Sequence, residues 1–223
     1  MKLDRIKLKM HEGVFMNRWW NNMSRGFLLV LSGPSGAGKG TVCDALLKKN
    51  KGVVSSVSAT TRKKRPGEVD GENYFFVSEE KFQEMIDNGE MLEYAHVHEN
   101  MYGTPKKFAM DKVEEGEIVI LEIDVQGALQ IKKVYSDAIF IFLLPPNMDE
   151  LKKRIVGRAT ETEHSIEIRY KNAFRELDFV EEYDYFVVND TVEQAVKDVE
   201  SIIEAEKHRV KRFKYIKEKV IGE

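Results

Sequence analysis

The architecture of this chain follows from one glycine-rich run, Gly33-Pro34-Ser35-Gly36-Ala37-Gly38-Lys39-Gly40-Thr41. The apolar residues 27–31 precede it and predict a buried strand, and residues 41–49 follow it with helical spacing. Glycines let consecutive backbone N–H groups turn inwards, and the start of the following helix adds positive potential. Lys39 can then reach the outer phosphates of a nucleotide. The run therefore predicts a phosphate-binding loop rather than a flexible turn.

Position 40 departs from the usual form of such a loop. A Ser or Thr normally stands there and meets Mg²⁺ through its hydroxyl, whereas this chain has Gly40. Thr41 points elsewhere on a helix, so we expect it to meet a phosphate oxygen. Because Mg²⁺ commonly keeps several waters and binds through substrate phosphates, we expect it to be held here mainly by phosphates and waters.

Further along the chain, short apolar runs alternate with helical patterns. Strands are predicted at residues 118–123, 139–143 and 185–188, and helices at residues 148–158, 165–181 and 191–212. Continuous apolar strands separated by helices predict an α/β core with a central parallel sheet flanked by helices. Residues 53–101 instead alternate polar and apolar positions around one helix, 79–87, which predicts an inserted small mixed α/β region. The basic stretch 207–219 is predicted to cap the core as a solvated helix.

Composition excludes several classes of protein. Hydrophobic residues make up 42% of the 223 residues, which is enough for a packed core, and the net charge of −3 argues against bulk binding of nucleic acid or anionic membranes. A single cysteine, Cys43, excludes a disulfide framework and a cysteine-based zinc site. Residues 1–25 lack the pattern of a signal peptide. They are either a mobile basic arm or precede a true start at Met16 or Met23, and we favour the second interpretation.

A second anion site is predicted within residues 58–76. Arg62 and Arg65 are close enough to converge, and the guanidinium fork suits phosphate oxygens. Tyr74 begins an apolar strand, and Tyr102 lies further along the chain. Two arginines and two tyrosyl hydroxyls would hold one phosphate monoester, although a solvated basic turn is the plainer alternative.

These segments, taken in order, resemble the signature of guanylate kinases. The resemblance covers residues 26–206. It rests on Thr60-Thr61-Arg62-x-x-Arg65-x-x-Glu68-x-x-Gly71-x-x-Tyr74-x-Phe76, Leu92-Glu93-Tyr94-Ala95, Tyr102-Gly103-Thr104, Leu121-Glu122-Ile123-Asp124-Val125-Gln126-Gly127, Arg154-x-x-x-Arg158 and Val188-Asn189-Asp190. It implies a P-loop kinase core with a GMP-binding insertion and a helical lid. It also implies phosphoryl transfer from ATP, with Mg²⁺, to GMP and also to dGMP.

The resemblance implies how guanine is chosen. It places Glu93 on the guanine edge, where the base offers two adjacent donors, N1–H and the exocyclic amine, that one carboxylate accepts. Adenine presents a bare acceptor at N1 and would leave the carboxylate unpaired. Ser58 and Thr104 resemble the hydroxyls that meet O6 and neighbouring atoms, and Asp124 faces the base. Glu122 would act on Mg²⁺ through water.

Transfer itself needs cancellation of charge and in-line alignment rather than a general base, because a phosphate monoester is mostly dianionic at neutral pH. The resemblance implies ATP binding by residues 33–41 and Asn189. Its catalytic set is basic throughout: Lys39, Arg62, Arg154, Arg158 and Arg169. The last three would lie on a mobile lid, although surface arginines paired with nearby acids are the common alternative.

The segments predict a division of labour along the chain. We expect core at residues 26–57, 106–147 and 182–223, the GMP-binding region at 58–105 and the lid at 148–181. Other interpretations are a different nucleoside monophosphate kinase, a non-catalytic guanylate-kinase-like binding module, and a P-loop GTPase. Lys39 opposes the second, and the absence of an Asn-Lys-x-Asp motif at Val188-Asn189-Asp190 opposes the third. We expect a cytoplasmic monomer or homodimer without nucleic-acid or membrane partners.

Overall fold

The computed structural model describes residues 26–97, 99–157 and 163–213, together with residues 217 and 221. The predicted extension at residues 1–25 and the arginine at position 158 lie outside the described residues. The strands are β1 Phe27–Ser32, β2 Val53–Ser55, β3 Ala59–Thr60, β4 Phe75–Phe76, β5 Met91–Val97, β6 Asn100–Pro105, β7 Ile118–Glu122, β8 Ile139–Leu144 and β9 Tyr185–Val188. The helices are α1 Lys39–Lys49, α2 Glu79–Asp87, α3 Lys106–Glu114, α4 Val125–Val134, α5 Met148–Val156, α6 Glu163–Glu176 and α7 Val192–Lys207.

The larger sheet is parallel throughout, as the sequence predicts. Its order is β2-β7-β1-β8-β9, with Phe27 opposite Ile118 and Leu29 opposite Ile139. Successive residues of β1 enter two different cores. Leu29 packs in a cluster with residues of α1 and α7, and Val30 packs on the opposite face with residues of α3 and α4. Both faces of the sheet are therefore covered, which explains the unbroken apolar strands.

The smaller sheet is mixed and has the order β4-β3-β6-β5. Strands β5 and β6 form an antiparallel hairpin, whereas β3 and β4 are parallel. The prediction that this inserted region begins at residue 53 is wrong, because Val53–Ser55 pairs with β7 at the edge of the parallel sheet. Exposure increases steadily along this three-residue edge strand, from buried Val53 to exposed Ser55, so the strand shows no alternation that would assign it to a sheet. The sequence analysis also missed α3.

Helix ends differ from the prediction in the C-terminal part. The helix predicted at residues 165–181 is α6 followed by a 3₁₀ segment, Leu177–Glu182, and the long helix ends at Lys207 instead of residue 212. The 3₁₀ segment Val210–Arg212 then turns the chain back onto the core. No helix within the described ranges has the length and apolar character that crossing a membrane requires.

The basic C-terminal stretch is not wholly solvated, so that prediction is wrong for Arg212. The residue is only 7% exposed, its Nη2 lies 3.0 Å from Oε2 of buried Glu206, and its guanidinium stands 4.2 Å from the ring centroid of Phe27. Tyr185 donates its hydroxyl to the other oxygen of Glu206. A planar guanidinium can stack on an aromatic ring while it pairs with a carboxylate, and sequence pattern alone does not reveal this combination.

Candidate active site

The predicted phosphate loop joins β1 to α1 at the carboxyl edge of the parallel sheet. Its backbone takes the left-handed conformation at Gly36 (φ 91°) and Gly38 (φ 94°), which favours glycine at both positions. Lys39 is the first residue of α1, and its Nζ donates to the carbonyl oxygens of Gly33 (2.6 Å) and Pro34 (3.2 Å). The ammonium group is therefore folded into the curl of the loop, where an anion would meet it.

Asn189 braces the phosphate loop from the end of β9. The residue is only 4% exposed, and its Nδ2 donates to the carbonyl oxygen of Ala37 at 2.7 Å. A Cβ at Gly38 would overlap with this amide group, so the glycine is needed for space as well as for its φ angle. The resemblance places Asn189 near adenine; in the structure, the side-chain amide contacts the loop. The sequence offered no signal for this contact.

Two of the predicted lid arginines contact the phosphate loop or Asn189, the residue that supports it. Arg154 on α5 donates from Nε to Glu150 (3.1 Å) and from Nη1 to the backbone oxygen of Asn189 (3.0 Å). Arg169 on α6 donates to the hydroxyl oxygen of Ser35, from Nη2 at 2.9 Å and from Nε at 3.2 Å. The structure thus brings α5 and α6 against the predicted phosphate loop or against Asn189, which contacts it.

Glu176 is a residue of this site that the sequence analysis missed. Its Oε2 accepts the backbone N–H of Ser35 at 3.1 Å, within the loop whose amides are expected to meet phosphate. Burial raises the pKa of this carboxyl, and the Ser35 N–H and Lys39 oppose the increase. Its spacing of seven residues from Arg169 places both on similar faces of α6, which is the one signal the sequence holds.

The predicted acceptor site is built around Arg62. Its guanidinium forms a two-pronged pair with Glu68, with Nη2 2.7 Å from Oε1 and Nη1 3.1 Å from Oε2. This pairing lowers the pKa of Glu68. The guanidinium carbon stands 5.5 Å from the ring centroid of Tyr74, whose ring meets that of Tyr102 edge-on at 6.0 Å. Arg62, Tyr74 and Tyr102 are therefore brought together as predicted.

Arg65 is placed differently from Arg62. Its side chain is exposed, and its backbone N–H donates to Oε2 of Glu68 at 2.7 Å. Glu68 consequently ties the backbone of the turn to the Arg62 guanidinium. The sequence analysis included Glu68 in the signature but gave it no role. The carboxylate thereby fixes the orientation of the arginine fork.

Replacing Arg62 or Arg65 with alanine is expected to raise the KM for GMP by about 10- to 100-fold, because in the predicted acceptor site each variant would lose charge-assisted hydrogen bonds to a phosphate. The KM for ATP should change far less. Arg62→Lys should bring the KM for GMP only slightly back towards that of wild type, since an ammonium group cannot form the two-pronged contact. Steady-state kinetics with each substrate varied will measure these effects. Lys64→Ala, on the same exposed turn, is the control. A GMP KM that neither arginine variant alters would contradict the assignment.

The predicted base-reading carboxylate is buried between the inserted sheet and α4. Glu93 on β5 is 6% exposed, and Thr104, its neighbour on β6, donates its hydroxyl to Oε1 at 2.7 Å. A Cβ at Gly127 would lie 2.9 Å from Oε2, so only glycine leaves room for the carboxylate. The pKa of Glu93 is raised to about 7, mainly by burial; the hydrogen bond from Thr104 opposes this increase, and the nearby charge of Asp124 contributes to it.

The other residues predicted to read the base are Asp124 and Ser58. Asp124 follows β7 and caps α4 by accepting the N–H of Gly127 at 2.8 Å. Ser58 is half-buried, and its backbone oxygen accepts the N–H of Phe75. The structure therefore places Asp124 close enough to Glu93 to raise the pKa of the Glu93 carboxyl. It places Ser58 beside the inserted sheet.

Glu122 stands beside the first turn of α1. A Cβ at Gly40 would lie 3.3 Å from Oε1 of Glu122, so this carboxylate occupies the space next to the position that usually carries a hydroxyl. No cluster of three or more potential ligands (His, Cys, Asp or Glu) was found within the described ranges. One carboxylate beside a phosphate loop fits a magnesium ion held mainly by phosphates and waters.

A phosphate loop on a five-stranded parallel sheet, with an inserted mixed sheet and helices folded over the loop, is typical of P-loop nucleotide kinases, and this chain has that fold. The family model described as guanylate kinase matches residues 25–206. A guanylate kinase of Clostridioides difficile is 56% identical over 87% of this chain and 95% of its own, and one of Caldanaerobacter subterraneus is 54% identical over 85% and 92%. A crystal structure of guanylate kinase from Anaplasma phagocytophilum superposes with a TM-score of 0.71 at 36% identity, covering 88% and 94% of the two chains. The chain belongs to the guanylate kinase family.

Proposed function

We propose that this chain is an ATP-dependent guanylate kinase that transfers the terminal phosphoryl group of ATP to GMP, giving ADP and GDP. The observation that carries the proposal is the buried carboxylate of Glu93, held by Thr104 on the inserted sheet. A carboxylate kept out of water needs a partner with two donors, and the guanine edge provides them. Identity of 52–56% to curated guanylate kinases over most of the chain supports the same activity.

The acceptor phosphate is its own nucleophile. The second pKa of a phosphate monoester is about 6, so GMP needs no general base at neutral pH. Arg62 and Arg65 neutralise this phosphate, and the hydroxyls of Tyr74 and Tyr102 orient it. Binding in this pocket fixes the attacking oxygen in line with the donor and removes the entropic cost of alignment.

The donor triphosphate lies in residues 33–41. Backbone N–H groups and Lys39 bind its outer phosphates, while Arg154, Arg158 and Arg169 supply positive charge to the group in transfer. Because these arginines belong to the lid, the charge is complete only when the lid is closed over both substrates. Closure also excludes water, which would otherwise accept the phosphoryl group.

Mg²⁺ is proposed to accompany ATP. Its charge would neutralise the donor phosphates and favour in-line geometry. Glu122 would hold it through water, beside the space that Gly40 leaves. Thr41 would meet a phosphate oxygen instead of the metal.

The base is proposed to be read by Glu93, Ser58, Thr104 and Asp124. None of these roles involves the ribose 2′-hydroxyl, so dGMP is proposed as a second acceptor. We further propose the division into core (26–57, 106–147 and 182–223), GMP-binding region (58–105) and lid (148–181). The proposed setting is a cytoplasmic monomer or homodimer that acts on ATP and GMP, without nucleic-acid or membrane partners.

A product assay with ATP, Mg²⁺ and each of GMP, dGMP, AMP, UMP and dTMP tests the activity. We expect ADP and GDP from ATP and GMP, a comparable reaction with dGMP, and turnover at least about 100-fold lower with the other three, because unpaired polar groups in a buried site oppose them. Preference for AMP or a pyrimidine would favour a different nucleoside monophosphate kinase. Failure of every acceptor to react would favour a non-catalytic binding module.

A further inference from the structure

Two side chains of helix α6 form hydrogen bonds with Ser35 of the phosphate loop. Arg169 donates to the Ser35 hydroxyl at 2.9 and 3.2 Å, and Glu176, two turns later, accepts the Ser35 backbone N–H at 3.1 Å. The hydrogen bond to the Ser35 hydroxyl comes from a cation, Arg169, which a donor phosphate would attract. The hydrogen bond from the Ser35 N–H goes to an anion, Glu176, which a donor phosphate would repel.

The position of the Glu176 carboxylate is unusual for an acid. Backbone N–H groups of a glycine-rich loop at a helix N-terminus form an anion site, and here a carboxylate oxygen takes one of them. The positive charge of Lys39, the loop lysine, also acts to lower the pKa of this carboxyl. Glu176 thus interacts with two groups that are expected to meet phosphate.

Arg169, which the proposed function assigns to the transferring group, contacts Ser35, so the proposed function puts Ser35 at the end of the loop nearest to that group. A terminal phosphate that approaches this end meets the negative charge of Glu176, whereas phosphates bound further along the loop lie farther from that charge. The carboxylate should therefore oppose a triphosphate more strongly than a diphosphate.

We propose that Glu176 competes with the terminal phosphate of the donor nucleotide for the Ser35 N–H, so that ATP binding releases α6 from the loop. This proposal rests on the proposed function. Glu176 is a gating residue, not a catalytic one: it touches the loop and acts on donor binding. Once it is displaced, the helix that carries Arg169 can move while the guanidinium turns to the phosphoryl group.

A merely structural role predicts a different pattern of variants. Glutamine at position 176 keeps an oxygen that accepts the Ser35 N–H but removes the charge, whereas alanine removes both. If Glu176 only held the loop in shape, alanine would weaken nucleotide binding and glutamine would behave as wild type. If its charge competes with phosphate, both variants bind the triphosphate more tightly.

The test is isothermal titration of the full chain with Mg²⁺ and either the β,γ-imido analogue of ATP or ADP. Glu176→Gln should lower the Kd for the triphosphate by about three- to tenfold, and the Kd for ADP by less than about twofold. The difference in triphosphate Kd between Glu176→Gln and wild type should become smaller as the salt concentration rises from 50 to 500 mM, because salt screens the competing charges. In kinetics the KM for ATP should fall while the KM for GMP stays constant.

Glu167→Gln is the matched control, since this exposed residue of the same helix pairs with Lys171 and not with the loop. Thermal melting checks that each variant folds, and Glu176→Gln decides the matter even if Glu176→Ala does not fold. An unchanged or weaker triphosphate Kd for Glu176→Gln, in a protein whose wild type forms GDP, would overturn the gate. A wild type that forms no GDP would instead overturn the proposed function.

Discussion

Lys39→Ala is expected to lower kcat for GDP formation by at least about 10²- to 10³-fold, which is typical when one preorganised positive group is removed from a transition state. The Nζ of Lys39 is held inside the phosphate loop by the carbonyl oxygens of Gly33 and Pro34. In that place it can follow negative charge as it shifts from the transferring group to the β-phosphate. The binding of GMP should be affected much less, because the acceptor pocket lies on the inserted sheet.

The fold should survive the Lys39 substitution. The side chain is partly exposed, and water can replace it at both carbonyl groups, so we expect a loss of about 1 kcal/mol or less in the free energy of unfolding. Coupled-assay kinetics and thermal melting measure the two effects separately. Lys48→Ala, on the exposed side of the same helix, is the control. Activity of Lys39→Ala close to that of wild type would rule out the loop as the donor site.

The parts of the fold that the sequence predicted well are those in which local pattern and burial agree. The strand Tyr185–Val188 and the helix Glu79–Asp87 have the predicted bounds, and β1 begins at the predicted residue. Each contains enough apolar residues to register a period of 2, a period of 3.6 or a continuous run. The edge strand Val53–Ser55 has only three residues, too few for any period, and was assigned to the wrong sheet.

The contacts that sequence reasoning missed join residues that are far apart in the chain. Asn189 and Ala37 are 152 positions apart, and Ser35 and Glu176 are 141 apart. Neither pair has a local pattern, because each depends on how two connections at the same sheet edge pack in three dimensions. By contrast, the residues of the arginine–tyrosine segment were sufficient to group Arg62 with Tyr74 and Tyr102, and the family resemblance assigned Glu93 and Thr104 to one site.

The placement of Asn189 has a consequence for how the lid and the loop are linked. One residue holds the loop through its side chain at Ala37 and a lid arginine, Arg154, through its backbone oxygen. Asn189 therefore connects α5 to the phosphate loop. Together with the hydrogen bonds between α6 and Ser35, this gives both helices of the predicted lid a contact with the loop or with Asn189.

Glu93→Gln should raise the KM for GMP by about 10- to 100-fold, while the KM for ATP stays nearly constant. Glutamine has nearly the same shape as glutamate, but it presents one acceptor and one donor. Its amide group would face the exocyclic amine of guanine donor to donor, so one of the two hydrogen bonds is lost and a repulsive contact replaces it. The ratio of kcat/KM for GMP to that for AMP should fall accordingly, and an unchanged ratio would refute base reading by Glu93.

The same substitution should make the protein more stable at alkaline pH. Burial raises the pKa of Glu93 in the folded chain from 4.5 to about 7. A raised pKa contributes stability that is fully present below pH 4.5 and is lost as the pH rises through about 7, because the folded chain must then carry a buried charge. Glutamine never ionises, so Glu93→Gln should melt at a higher temperature than wild type at pH 8. The difference should shrink towards pH 4.5.

Loss of function and gain of stability in one variant would separate a binding carboxylate from a structural one. A carboxylate kept for the fold would make Glu93→Gln less stable at every pH, and a surface carboxylate would leave stability unchanged. The pH dependence of GMP binding provides a second test, because the ionised carboxylate is the form that accepts both guanine donors. The KM for GMP in wild type, divided by that in Glu93→Gln, should therefore rise as the pH falls below about 7, and titration of the GMP phosphate cancels from this ratio. A ratio independent of pH between 6 and 8 would show that Glu93 does not meet the base as a carboxylate.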